Sequence, residues 1–173
     1  MTNRKIAILA AFAAVFLFCI ALTDSGFSVG QETPDYTDDA RFKSFRGRLY
    51  VPDVGIDVAL YRTNLQKVCD MKDAACYFDM YGSPCMLIAD HVNQSFGPLL
   101  DVVEGDTAYI RLKTGETVHM VCVAVFDGRN TGHGIVDGNR KDARRADYLL
   151  YTCLPDGKKR DVRVCLFDKI EKE

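Results

Sequence analysis

Short stretches of strand character, each closed by a turn signal, constrain this chain more than anything else in its sequence. Gly47-Arg48-Leu49-Tyr50-Val51 stops at Pro52, and Gly55 to Tyr61 alternates apolar residues at Ile56, Val58 and Leu60. Met86 to Ala89 is short and apolar, and Thr107–Leu112 and Thr117–Phe126 flank a Lys113-Thr114-Gly115-Glu116 turn. Tyr148–Thr152 and Arg160–Phe167 complete the set. Helical spacing is confined to Ser95–Val103, at Phe96, Leu99, Leu100 and Val103, and Asn64–Tyr81 reads as a short helix or a loop. No strand–helix–strand alternation and no internal repeat is present. The expected fold is all-β, a closed and mostly antiparallel barrel of about seven or eight strands with one or two short helices. The polar stretch Gly128–Arg145, with four glycines, reads as a long loop of the kind that is often functional or mobile.

The first 23 residues read as lying outside that fold. Ile6–Leu22 is an unbroken apolar run of 17 residues behind Arg4 and Lys5, at the short limit of a membrane span. Charge on its N-terminal side places the N-terminus in the cytoplasm and the body outside. No Ala-x-Ala site follows, so an uncleaved anchor is expected rather than a cleaved signal. Cys19 lacks the small residue a lipoprotein box needs before it, and it reads as part of the span. Residues 24–42, with Gly, Ser, Pro34 and four Asp, read as a linker, and residues 43–173 as the folded domain. A net charge of −2 and no basic stripe with interleaved aromatics give no sign of nucleic-acid binding.

The chemistry concentrates near the C-terminus. Leu149-Leu150-Tyr151-Thr152-Cys153 is a strand ending on a cysteine, and a Pro/Asp/Gly/Lys turn leads back to Arg160 and Arg163. A strand-end thiol beside cations can be both stabilised as thiolate and exposed. His91, at the end of Met86-Leu87-Ile88-Ala89-Asp90-His91, is the candidate proton carrier, so Cys153, His91 and an arginine suit covalent catalysis. The competing reading makes Cys153 one more small buried hydrophobe.

The Leu149–Cys153 segment resembles the sortase signature Thr-Leu-x-Thr-Cys, with Leu149 for the first Thr. Ala89-Asp90-His91 is similar to that family's Ala-Gly-His strand end, with Asp90 for Gly, and Phe96-Gly97-Pro98-Leu99-Leu100 and Glu104-Gly105-Asp106 resemble the short helix and turn that follow. The Gly47–Tyr61 pair resembles the family's opening hairpin, and the likeness runs in order over about residues 45–170. It implies a class B-like or related membrane-anchored cysteine transpeptidase. Cys153 would attack the Thr–Gly bond of a Leu-Pro-x-Thr-Gly-like sorting motif on a surface protein. His91 would carry the proton, and Arg163, or alternatively Arg160, would bind the substrate carbonyl or oxyanion. Thr152 and Ala89 would line the floor. The acyl group would pass to an amine, from a peptidoglycan precursor or a pilin lysine, with no metal or organic cofactor required. A hydrolytic cysteine peptidase and a non-catalytic binder of cell-wall peptide are the rival readings.

The remaining candidates have blander expectations. His119, between Val118 and Met120, reads as a surface or packed strand residue, whereas loop-borne His133 could approach the site. Cys122 and Cys165 read as buried and inert, Cys85 precedes the strand leading to His91, and Cys69 and Cys76 are a possible disulfide pair outside the membrane. The three His and seven Cys fall into no Cys-x-x-Cys or His-x-x-x-His pattern, and no Gly-x-Ser-x-Gly occurs.

Overall fold

A computed structural model describes residues 44–79, 83–158 and 160–171. The expected membrane segment at 6–22 and the linker at 24–42 lie outside the described residues. Among the described residues no helix is long and apolar enough to cross a membrane.

The described chain forms β1 (Phe45–Val51), β2 (Ile56–Tyr61), a single-turn helix α1 (Gln66–Cys69), β3 (Ala74–Asp79), β4 (Met86–Ala89), β5 (Thr107–Leu112), β6 (Thr117–Asn130), β7 (Ile135–Val136), β8 (Tyr148–Cys153) and β9 (Asp161–Lys169). One sheet runs β5-β1-β2-β3-β4-β8-β9-β6, and β6 returns to pair with β5, which closes eight strands into a barrel. The two-residue β7 hangs on the far end of β6. The pairs β2–β3 and β4–β8 are parallel and the others antiparallel.

Two glycines set the opening of the barrel. A Cβ at Gly47 would stand 2.2 Å from the Arg111 carbonyl oxygen, so only glycine lets β1 come this close to β5 at the point where it bulges against β2. Pro52 then stops β1 in a short 3-10 turn, and Gly55, at φ 73°, turns the chain into β2.

The sheet buries both of its faces along β8 and β9. Leu49, Leu60, Leu99, Ile110, Leu150, Cys165 and Phe167 fill the barrel interior. Each large apolar side chain buried there contributes about 1.5–3 kcal/mol. A second cluster on the outer face joins Leu87, Leu149, Val162, Val164 and Leu166 to Ile135, Ala143 and Ala146 of the 131–147 segment.

Several elements differ from the sequence reading. Ala74–Asp79, expected to be helix or loop, is strand β3, wedged between β2 and β4. Its Ala74-Ala75-Cys76 start is buried throughout, so no polar alternation marks it. The supposed loop from Gly128 contains the last residues of β6 and all of β7. The helical spacing at 95–103 tightens to a 3-10 helix, Gly97–Asp101, with Pro98 in its first turn. Val102 rather than Val103 is buried there.

Candidate active site

The site begins with a parallel pairing. β4 and β8 lie side by side, with Ala89 beside Tyr151, so the two strands end together. The chain continues from one into Asp90 and His91, and from the other into Thr152 and Cys153. The buried Thr152 hydroxyl donates to the Asp90 carbonyl at 2.9 Å and pins the two ends. His91 and Cys153 thereby line one cleft of about 560 Å³, together with Gln66, Cys69, Cys76, Ala89, Asn130, His133 and Tyr151. The Cys153 thiol is exposed. Ala89 lines this cleft as expected, while Thr152 is a buried strut between the strands.

Alternation along β8 decides what Cys153 can meet. Tyr148 and Leu150 face the barrel interior, and Thr152 continues their row. Leu149 belongs to the outer cluster, and Tyr151 and Cys153 continue that row. Across β9, Cys153 stands opposite Val162, and Thr152 opposite Arg163. Directly opposed residues project to the same face, so Arg163 leaves the sheet on the side away from Cys153. Its Nε lies 2.9 Å from Asp127 Oδ1, close as an ion pair but without hydrogen-bond alignment. It borders a separate hollow with Leu100, Pro155 and Asp156. The expectation that Arg163 is brought to Cys153 is therefore not met. Arg160 precedes β9 in the turn, exposed and at φ 86°. Its carbonyl accepts from the N–H of Asn130, a cleft residue, at 2.9 Å.

His91 is held from the α1 side. Its Nε2 is hydrogen-bonded to Gln66 Nε2 and lies 3.5 Å from Asp70 Oδ1. Gln66 Nε2 donates to the same Asp70 oxygen at 3.0 Å. Neither Gln66 nor Asp70 stood out in the sequence. Their i, i+4 spacing was the available signal, but α1 is a single turn with no apolar period to announce it.

Asp90 stands where the resemblance leads one to expect Gly. It is 4% exposed, and burial pushes its carboxyl up to about 6. One oxygen accepts from the Ser95 N–H at 2.9 Å, which fixes the turn after His91; the other has no partner among the described residues.

The other candidates separate clearly. His133 reaches the cleft, whereas His119 is exposed on β6 beside Tyr109. Cys122 and Cys165 are buried, and burial raises their thiols to about 11 and about 12. Cys85 is buried too, and raised to about 11 for the same reason. Cys69 and Cys76 are free thiols with their sulfurs 3.3 Å apart. The hydrogen bond between them lowers the Cys69 thiol and raises that of Cys76.

No protein-family model and no curated protein matches this chain. Solved structures do. Sortase C from Clostridium perfringens SM101 superposes with a TM-score of 0.56 at 14% identity, over 74% of this chain and 71% of that one. Sortase A from Corynebacterium diphtheriae gives 0.57 at 19%, over 75% of this chain and 62% of that one. Sortase C1 from Streptococcus suis gives 0.59 at 17%, over 76% of each. The described residues have the sortase fold.

Proposed function

We propose that this chain, built on the sortase fold, is a cysteine transpeptidase acting on a cell-wall sorting motif. One observation carries the reading: an exposed thiol and an imidazole line a single cleft at the paired ends of β4 and β8. Cys153 Sγ attacks the Thr carbonyl carbon of a Thr–Gly bond. The C–N bond breaks, His91 gives its proton to the departing amine, and the acyl group remains as a thioester on Cys153. An incoming amine then attacks the thioester. His91 takes the proton from that amine, the C–S bond breaks, and the thiolate is restored. The amine belongs to a peptidoglycan precursor or a pilin lysine.

The guanidinium that steadies the oxyanion falls to Arg160. Its carbonyl accepts from the N–H of cleft-lining Asn130, whereas Arg163 leaves the sheet by the face away from Cys153. We also place the domain on the outer side of the membrane, tethered by residues 6–22, as the 17-residue apolar run behind Arg4 and Lys5 suggests. An N-terminus beginning after about residue 24 in the mature protein would make that segment a cleaved signal instead.

The test incubates the full chain with a sorting peptide, with and without an amine nucleophile. A product joined to the amine supports a transpeptidase. Cleavage that ignores the amine makes the chain a hydrolytic peptidase, and no cleavage removes the reading.

A further inference from the structure

The short helix beside the cleft gives His91 a tautomer. Gln66 Nε2 is 3.0 Å from Asp70 Oδ1 and also contacts His91 Nε2. A carboxylate oxygen only accepts, so Asp70 decides which end of the Gln66 amide faces it: the NH2 end. The second N–H of that same group then points at His91 Nε2, which must be the acceptor. A neutral imidazole with Nε2 unprotonated carries its proton on Nδ1. Nδ1 has no hydrogen-bond partner among the described residues, and the ring lines the cleft that holds Cys153. When the ring is protonated, Asp70 Oδ1, 3.5 Å from Nε2, is the counter-charge on the same side.

We propose that Gln66 and Asp70 are positioning residues that hold His91 by Nε2 and turn Nδ1 to the cleft: Gln66 sets the resting ring with its proton on Nδ1, and once the ring is protonated Asp70 takes the Nε2–H, so that Nδ1 gives its proton to the departing amine and, left bare, takes one from the incoming amine. The consequence for turnover rests on the transpeptidase reading; the tautomer does not. A base held by a third group is the general arrangement of activated nucleophiles, and here the holder is an amide fixed in turn by a carboxylate. The ring is partly exposed, with 32% of its side-chain surface open, so without such a grip it would turn freely between cleft and solvent.

The test uses the full chain labelled with 15N in its histidine rings, at about pH 8, where an ordinary imidazole is neutral. Long-range proton–nitrogen spectra distinguish the two tautomers, and a His91→Gln chain identifies the His91 signals. The wild type is expected to carry its proton on Nδ1. Gln66→Glu keeps the side chain's size but replaces the donor with an acceptor, and should move the proton to Nε2. Asp70→Asn frees the amide to flip and should give a mixture. With a sorting peptide, Asp70→Asn, which removes the carboxylate that takes the Nε2–H of the protonated ring, should lose roughly tenfold or more in kcat, the scale expected of a misplaced catalytic group, with KM within about threefold. A wild-type ring protonated on Nε2, or a ring unchanged in both variants, overturns the proposal. Correct tautomer behaviour in a chain that transfers no acyl group would instead remove the transpeptidase reading and leave this one standing.

Discussion

The two faces of the β8–β9 hairpin differ by one residue of register and share almost nothing else. On the inner face Tyr148, Leu150, Cys165 and Phe167 are packed into the barrel, and the row ends on Thr152 and Arg163. On the outer face Leu149, Val162, Val164 and Leu166 lie under the 131–147 segment, and the row ends on an exposed Cys153. Both rows are apolar, so hydrophobicity does not separate them. What separates them is the cover. The inner row is sealed by the rest of the barrel, whereas the cover of the outer row stops short of the strand end and leaves a cleft. Exposure follows the open end: two cysteines twelve residues apart in sequence, Cys153 and Cys165, differ in that one is exposed and the other fully buried with its thiol raised to about 12.

The sharpest way to break this comparison is at the two strand ends. Cys153→Ala should abolish thioester formation in the full chain while leaving its circular dichroism and melting unchanged, because the removed sulfur packs against little. Turnover persisting in that variant would contradict the assignment. Next come the arginines. Arg160→Ala should lower kcat/KM for a sorting peptide by roughly 10²–10³, the usual loss for one transition-state donor. Arg163→Ala should stay within about tenfold, since its side chain leaves by the other face beside Asp127. The reverse ranking would mean that the hairpin register or the face assignment does not hold in solution.

Stability should follow the opposite pattern. Leu150→Ala, on the sealed inner face, should cost about 2–5 kcal/mol by denaturant unfolding. Cys153→Ala should cost nothing measurable.

The smallest effect concerns the residue before His91. Burial raises Asp90 from an ordinary 3.8 to about 6, so the folded state favours the protonated carboxyl. Its contribution is fully present below 3.8 and is lost as pH rises through about 6. Asp90→Asn has no such loss, and its unfolding midpoint should be flatter than that of the wild type across this window. Parallel curves would show that Asp90 does not titrate in the folded state.

Much of this was legible in the sequence where a strand ends abruptly. His91 and Cys153 each close a short apolar strand, and a strand end is where a side chain escapes the sheet. The resemblance of Leu149–Cys153 and Ala89–His91 to the sortase motifs led to the right fold. Arg163 was harder. Counting three residues from Arg160 assumes a regular strand, but Arg160 sits in the turn at φ 86°, so the face of each arginine depends on the turn and not on the count. Both faces of β9 are buried, so alternation could not say which one holds the barrel core. β3 was hidden for a related reason: small residues buried on both sides leave no period. Gln66 and Asp70 were invisible because their meaning is a contact with a residue 21 to 25 positions away.

The most direct measurement is the intact mass of the full chain after incubation with a sorting peptide in the absence of amine, followed by fragmentation to locate the adduct. The account predicts a mass gain equal to the acyl half of the peptide, on Cys153, reversed when an amine is added. A mass gain on Cys69 or another thiol, or a cleaved peptide with no acylated intermediate, would contradict it.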